Sequence, residues 1–259
     1  MSAMRIAFVG KGGAGKSAIA GTFARTLARQ GAPVLAVDSD PLPGLAFSLG
    51  LAIEDTPPIP DDAVRERREG EKGPRWRLRD DIDPLDAVDR WSVAAPDGVR
   101  FLQFGNIRGS GNNLWKPQMA FLQVVRALPP HRWNVVGDLP GGTRQAFTGW
   151  GHFADLIVVV VEPTAKSLLS GRRLARMAHT RDEGPAPRVV AVASKVREPA
   201  DAEAVGRGTG LAVVGSVPWD EDLAEAERRA LAPLDHAPQC PAVRAVESLV
   251  DVLCEERVA

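Results

Sequence analysis

A glycine-rich run near the start of the chain constrains the fold more than any other feature. Residues 10–17 read Gly-Lys-Gly-Gly-Ala-Gly-Lys-Ser, between the apolar run 6–9 and a segment with helical periodicity. Two glycines that bracket four residues, closed by Lys-Ser, have the spacing of a phosphate-binding loop, which joins a strand to a helix. Because glycine adopts positive φ at little cost, such a loop turns sharply and aims N–H groups at phosphate oxygens. A glycine turn that matches by chance is the alternative, and the order of strand, loop and helix argues against it.

The loop assigns nucleotide contacts to particular residues. Lys16 is expected to span the β- and γ-phosphates of ATP, and the Ser17 hydroxyl is expected to ligate Mg²⁺. The start of the following helix adds unpaired N–H groups and the positive end of its dipole. The residues expected to bind ATP or ADP here are Gly10, Gly12, Gly13, Ala14, Gly15, Lys16, Ser17 and Ala18.

Acidic side chains follow two of the apolar runs that we predict to be strands. Asp38 and Asp40 come after the run 33–37, and Asp138 ends the run 133–138. Ligands of doubly wound sheets bind at the carboxyl ends of the strands, where such acids are suited to Mg²⁺ and water. Asp138 is expected to hold Mg²⁺ through water, and the N–H of Gly142 to sense the γ-phosphate. The alternatives are that Asp40 caps the next helix, a role compatible with catalysis, and that Asp138 only ends a strand before a turn.

The alternation of predicted strands and helices indicates one doubly wound α/β domain over residues 1–259, with a mostly parallel sheet flanked by helices. Strands are predicted at 4–9, 33–37, 91–95, 99–104, 133–138, 154–161, 189–193 and 212–217, and helices at 16–30, 42–50, 119–128, 166–180 and 241–257. The segment 53–81 is rich in proline and in charges of both signs, so we expect a flexible surface insertion outside the core. A polybasic contact site is the alternative there, weakened by the interleaved glutamates.

Composition bears on location and on partners. The formal net charge of −1 gives no overall attraction to nucleic acid or to an anionic membrane. The two cysteines suggest neither a disulfide framework nor a zinc site, and the predicted first strand leaves no room for a signal peptide. The longest apolar run, 156–161, is too short to span a bilayer. We therefore expect a cytoplasmic protein with reduced thiols.

A second lysine inside the loop narrows the class. With Lys11, the loop resembles the deviant Walker A motif of the MinD/ParA, ArsA and nitrogenase iron-protein ATPases, which are SIMIBI-type P-loop NTPases. The resemblance implies a homodimer that forms on ATP binding, in which Lys11 reaches the nucleotide of the partner subunit. It also implies that Asp38 lies on the magnesium side and that Asp40 orients the attacking water. Lys11, Lys16 and Asp40 are then the catalytic residues, and Ser17, Asp38 and Asp138 hold the metal. A solvated lysine is the alternative for Lys11.

The base of the nucleotide is expected at the other side of the loop. Many relatives have Asn-Lys after the strand that corresponds to 189–193, and the Asn amide reads the adenine edge. Ser194 and Lys195 stand there in this chain, so base recognition by an amide is weakened. Pro218 and Trp219 occupy a second place where relatives line the base pocket with backbone.

Within that class, the segments 36–41, 104–117 and 159–167 most resemble the CooC-type ATPases, which assist nickel insertion into carbon monoxide dehydrogenase. That subfamily carries a metal-binding Cys-x-Cys pair in the loop that corresponds to 109–117. Asn112, Asn113, Leu114 and Trp115 occupy the loop here, and without thiolates we expect no metal carriage of the known type. Trp115 is expected either in an apolar dimer or client contact or in packing of the loop.

These patterns favour a slow, dimeric Mg-ATPase switch that assists maturation or activation of a partner enzyme, which can be a metalloenzyme. The main alternative is a ParA/MinD-like positioning ATPase that binds DNA or membrane in its ATP state. Near-neutral charge and a last helix without a lysine-rich face argue against nucleic acid and against a membrane anchor. A regulator that hardly hydrolyses ATP stays open, whereas a cobyrinate amidase or dethiobiotin-type synthetase would need a substrate pocket for which no specific residues stand out.

Overall fold

The computed structural model describes residues 3–40, 44–103, 115–142, 151–178 and 186–256. Its strands are β1 (Arg5–Gly10), β2 (Val34–Asp38), β3 (Val64–Glu66), β4 (Trp76–Leu78), β5 (Val93–Ala94), β6 (Arg100–Gln103), β7 (Asn134–Asp138), β8 (Leu156–Val161), β9 (Arg188–Val196) and β10 (Val213–Pro218). Its helices are α1 (Lys16–Arg29), α2 (Leu45–Leu49), α3 (Pro84–Trp91), α4 (Trp115–Ala127), α5 (Ala165–Ala178), α6 (Pro199–Thr209), α7 (Glu221–Arg228), α8 (Pro233–His236) and α9 (Pro241–Glu255).

The described strands form one large sheet and one hairpin. The sheet has the order β10-β9-β8-β1-β7-β2-β6-β5, and β3 pairs with β4 apart from it. All neighbours in the large sheet are parallel except β5 and β6, which pair antiparallel at one edge. The predicted doubly wound, mostly parallel sheet is therefore confirmed, and β5 and β6 fall within the strands predicted at 91–95 and 99–104.

The register of the central strands places their last residues side by side. Phe8 of β1 pairs with Asp138 of β7, and Asp138 also pairs with Asp38 of β2. Since the strands run parallel, the loops that follow them leave the sheet at the same edge. Strands 1 and 2 are not neighbours, because β7 lies between them.

The central strands are buried on both faces, which explains their nearly continuous apolar sequences. Successive residues of β1 alternate between two cores, with Ile6 and Phe8 facing one and Ala7 and Val9 facing the other. In the first core, Phe8 meets Phe23 of α1 edge to face, with ring centroids 5.4 Å apart. The helix that follows the glycine loop is thus packed firmly on the strand that precedes the loop.

The expectation that residues 53–81 lie outside the core is wrong. Ile59, Ala63, Val64 and Leu78 are buried in the second core, and the N–H of Leu78 donates to Gln123 Oε1 of α4 at 3.1 Å. Many charged residues of the segment form ion pairs near the surface. In the sequence, these charges hide the pattern of the few apolar residues. Flexibility of the segment stays a prediction.

Several element boundaries differ from the prediction. Helix α2 covers only part of the predicted 42–50, and α4 begins four residues before the predicted helix at 119. Trp91, expected in a strand, ends α3 instead. The loop assigned to 109–117 overlaps α4 at its end, while residues 104–114, including Asn112, Asn113 and Leu114, lie outside the described part of the chain.

The last helix docks on the domain, as predicted. Its apolar face is buried against α1 and β10, and consists of Ala242, Val243, Val246, Leu249, Val250 and Leu253. Among the described residues, no helix combines the length and apolar character needed to cross a bilayer.

Candidate nucleotide and magnesium site

The glycine loop joins β1 to α1 at the carboxyl edge of the sheet. Gly13 and Gly15 adopt left-handed conformations, with φ of 82° and 86°, which favour glycine. Gly15 is the N-cap of α1, and its carbonyl accepts the N–H of Ile19 at 3.0 Å. Within the loop, the N–H of Ala14 donates to the carbonyl of Lys11 at 3.2 Å. All residues predicted from the glycine motif, Gly10 to Ala18, therefore lie on this one turn and the first turn of the helix.

Ser17, Lys16 and Asp138 meet beneath the loop. The Ser17 hydroxyl donates to Asp138 Oδ2 at 2.5 Å, and the side chain of Lys16 is buried nearby. Desolvation raises the pKa of Asp138 to about 6, against the opposing effects of the Lys16 charge and the Ser17 hydrogen bond. Among the described residues, Oδ1 of Asp138 has no hydrogen-bond partner although it is buried.

Asp38 lies next to Asp138 and is fully buried. Its Oδ1 accepts the N–H of Asp40 at 2.9 Å, and its Oδ2 accepts the N–H of Leu45 at 3.1 Å. Burial, together with the negative charge of Asp138, raises the pKa of Asp38 well above its usual range. Two buried carboxylates at adjacent strand ends make the site strongly attractive to a cation.

The oxygen ligands present fit Mg²⁺. A hydroxyl from Ser17 and a carboxylate from Asp138 are the kinds of ligand that Mg²⁺ takes in nucleotide sites, and the orphaned Oδ1 of Asp138 lacks the partner that a hydrated ion would supply. No cluster of three or more His, Cys, Asp or Glu suited to a metal occurs in the described ranges. Mg²⁺ in nucleotide sites generally keeps several waters and binds phosphate oxygens.

Asp40 is half-buried and follows β2 at the same edge, where its charge adds to the rise in the pKa of Asp38. The alternative that it caps the next helix finds no support, because the N-cap of α2 is Gly44. The carboxylate that accepts the N–H of Leu45, the first residue of α2, belongs to Asp38. The structure thus places Asp40 two residues beyond Asp38, at the carboxyl edge of the sheet.

Two glycines that touch the loop were missed by the sequence reasoning. A Cβ on Gly141 would lie 3.0 Å from the backbone nitrogen of Gly12 and 3.7 Å from Lys16 Nζ. A Cβ on Gly44 would lie 2.9 Å from Ser17 Oγ. The segment after β7 therefore contacts the loop through Gly141, next to the predicted Gly142, and the pair of glycines in the sequence was the available signal.

The four residues predicted for the base lie together on the other side of the loop. Ser194 is buried, and a Cβ on Gly15 would be 3.3 Å from its Oγ. Pro218 pairs with Val196, and the N–H of Trp219 donates to the carbonyl of Val196 at 2.9 Å. Trp219 is 40% exposed, and the guanidinium of Arg197 lies 4.9 Å from its ring centroid. The strand ends of β9 and β10 thus bring Lys195 and Trp219 to one rim.

A phosphate-binding loop on the central strand of a parallel sheet, with acids at the ends of the two strands beyond it, defines a P-loop nucleotide-binding protein. The chain belongs to the CobQ/CobB/MinD/ParA nucleotide-binding domain family, whose model matches residues 6–234.

Individual relatives agree with that assignment over most of their length. The carbon monoxide dehydrogenase accessory protein CooC of Rhodospirillum rubrum is 29% identical over 247 residues, which cover 92% of each chain. An uncharacterised ATP-binding protein of Methanocaldococcus jannaschii is 31% identical over 234 residues, covering 86% of this chain and 88% of its own. Among solved structures, the septum site-determining protein MinD of Pyrococcus horikoshii with Mg-ADP superimposes with a TM-score of 0.72 at 14% identity, covering 98% and 97% of the two chains.

Proposed function

We propose that this protein is a Mg²⁺-dependent ATPase that works as a dimeric switch and assists the maturation or activation of a partner enzyme, which can be a metalloenzyme. The observation that supports the ATPase most directly is the pair formed by Ser17 and Asp138, whose second carboxylate oxygen is buried and unpartnered beside the glycine loop. The support for an accessory role is the similarity, over 92% of the chain, to a carbon monoxide dehydrogenase accessory protein.

The site residues divide the work of hydrolysis. Ser17 and Asp138 would hold Mg²⁺, with Asp38 behind them, and the ion when bound would neutralise charge on the phosphate oxygens. Lys16 and the loop N–H groups hold the β- and γ-phosphates. Asp40 orients the water that attacks the γ-phosphorus, the bond to the ADP oxygen breaks, and phosphate and ADP are the products. Gly141 and Gly142 follow Asp138, and loss of their contact with the γ-phosphate changes the conformation of the chain beyond them.

Dimerisation depends on Lys11 in this proposal. Lys11 is half-buried at the start of the loop, and its carbonyl accepts the N–H of Ala14 at 3.2 Å. In the ATP state it reaches the nucleotide of a second copy, so that ATP joins two subunits and hydrolysis releases them. Slow turnover follows if closure of the two subunits limits the cycle. Ser194, Lys195, Pro218 and Trp219 hold the base side of the nucleotide.

We place the protein in the cytoplasm, where its two cysteines stay reduced; both are thiols in the structure. The client is a protein, and we propose no nucleic acid partner and no membrane anchor. ATP-dependent sedimentation with DNA or liposomes tests the positioning alternative.

The decisive experiment measures the solution mass of the wild type without nucleotide, with ADP and with Mg-ATP. We expect Mg-ATP to double the mass, Lys11→Ala to abolish the doubling, and Asp40→Ala to trap the dimer. Lys72→Ala, which removes an exposed lysine far along the chain from the loop, serves as the control and should behave as the wild type. A mass that responds neither to nucleotide nor to Lys11→Ala overturns the switch.

A further inference from the structure

A lysine near the end of β9 contacts the glycine loop from the side. Lys195 has a φ of 58°, in the left-handed region that residues with a side chain seldom adopt. Its Nζ donates to the carbonyl of Gly13 at 2.6 Å and lies 2.9 Å from Glu162 Oε1. Strained backbone of this kind persists where the surroundings hold it, and it concentrates at functional sites.

Glu162 is itself held in place. It directly follows β8, and its N–H donates at 3.0 Å to the hydroxyl of Ser167, which is buried in the first turn of α5. Strands β8 and β9 are neighbours, with Val161 opposite Ala193, so the two strand ends bring the carboxylate and the ammonium group together. The side chains of Glu162 and Lys195 are 15% and 31% exposed, which protects the pair partly from water.

The contact with Gly13 fixes one peptide plane of the loop. Because the peptide unit is planar, orienting the carbonyl of Gly13 also orients the N–H of Ala14. Glycine backbone otherwise has more freedom than any other residue, and ordering it on binding costs affinity. The neighbouring residue, Ser194, packs against Gly15, so β9 supports the loop at two points.

We propose that Glu162 is a positioning residue for nucleotide binding: it holds the Lys195 ammonium group on the Gly13 carbonyl, pre-orders the loop and thereby lengthens the stay of the bound nucleotide. This rests on the proposed function only in taking Mg-ATP or Mg-ADP as the ligand. Without the carboxylate, the Lys195 side chain turns toward solvent and the loop is ordered only when nucleotide arrives.

The test compares the wild type with Glu162→Gln, Lys195→Gln and the double variant. Fluorescent Mg-ADP is expected to leave each single variant about tenfold faster and to bind it about tenfold more weakly, as loss of a charge-assisted contact implies. The double variant should be no worse than Lys195→Gln alone, because Glu162 acts through Lys195. Glu203→Gln is the matched control: it breaks the 3.0 Å ion pair with Arg207 on α6, away from the loop, and should leave both quantities unchanged.

A readout without nucleotide separates this proposal from the proposed function. Amide hydrogen exchange of the peptide that spans residues 10–17 should speed up in Glu162→Gln and stay the same in Glu203→Gln, with the thermal midpoints of both variants alike. Unchanged exchange in Glu162→Gln overturns the positioning role, as does nucleotide release equal to that of the control. Wild-type protein that binds no Mg-ADP overturns the proposed function, and the exchange result then stands on its own.

Discussion

Two regions of the molecule are dense in charged side chains. One region buries acids side by side, and the other pairs its charges near the surface. At the carboxyl edge of the sheet, Asp38 and Asp138 are buried side by side, and burial raises the pKa of both. In the β3–β4 hairpin, Arg65 lies 2.8 Å from Glu71 and 2.6 Å from Asp80 near the surface. The hydrogen bond from Arg65 lowers the pKa of Glu71 to about 2.

The difference teaches what each group of charges is for. Ion pairs near solvent change the free energy of unfolding only slightly, so the hairpin can carry many of them. Buried acids without enough cations cost stability, and they are retained where a ligand later completes them. If the carboxyl edge binds a cation as proposed, its buried acids lower the stability of the nucleotide-free state in exchange for that binding.

The largest expected effect comes from Asp138→Asn. The amide keeps the shape of the side chain but loses the negative charge that attracts Mg²⁺, so ATP hydrolysis should fall by about a thousandfold, or about 4 kcal/mol in the barrier. Steady-state phosphate release measures this. Asp80→Asn, in the hairpin, is the control and should retain full activity. Equal losses in the two variants would break the contrast between the regions.

A middle-sized effect should come from the apolar part of the hairpin. Leu78→Ala empties a buried site against α4 and should lower the free energy of unfolding by about 2–3 kcal/mol. Urea unfolding of the nucleotide-free protein measures it. Glu71→Gln, which weakens the half-buried ion pair with Arg65, should lower the free energy of unfolding by less than Leu78→Ala does. If Glu71→Gln lowers stability more than Leu78→Ala does, the ion pairs and not the apolar residues stabilise the hairpin. The contrast between the two regions is then wrong.

The smallest effect is a pH dependence of stability. Asp138 titrates at about 6 in the folded chain but near its ordinary value when unfolded, so the folded state binds more protons between these values. Stability of the nucleotide-free protein should therefore fall by about 1–2 kcal/mol as pH rises from 5 to 7.5. Thermal unfolding across that range measures the slope, and Asp138→Asn should make it shallower. A midpoint that climbs over the same range would contradict the burial of these acids.

Much of the fold could be predicted because its signals are local. The glycine run predicts a strand, a turn and a helix. Long apolar runs such as 156–161 predict buried parallel strands without any knowledge of the neighbouring strands. The meeting of Asp38 and Asp138 followed from a general property of parallel sheets, and the register confirms that the two residues are adjacent.

The remainder depends on contacts between distant parts of the chain. Strands β3 and β4 have three residues each, too few for an alternating pattern to emerge among charges, and they pack against α4, which lies far along the chain. Glu162 gave no signal of its own, because its contact with Lys195 depends on β8 and β9 being neighbours. The approach of Gly141 to Gly12 likewise depends on the placement of β7 beside β1.

The strand order also determines at what point in synthesis the chain can form its nucleotide site. The strand that carries the glycine loop has β7 and β8 as its neighbours, and β8 ends at Val161. A chain emerging from the ribosome therefore holds its first strand without a partner until more than half of the sequence has been made. Pairing over such separations is slow compared with local folding. Nucleotide competence thus arrives late in synthesis, so a truncated product presents the motif without the site.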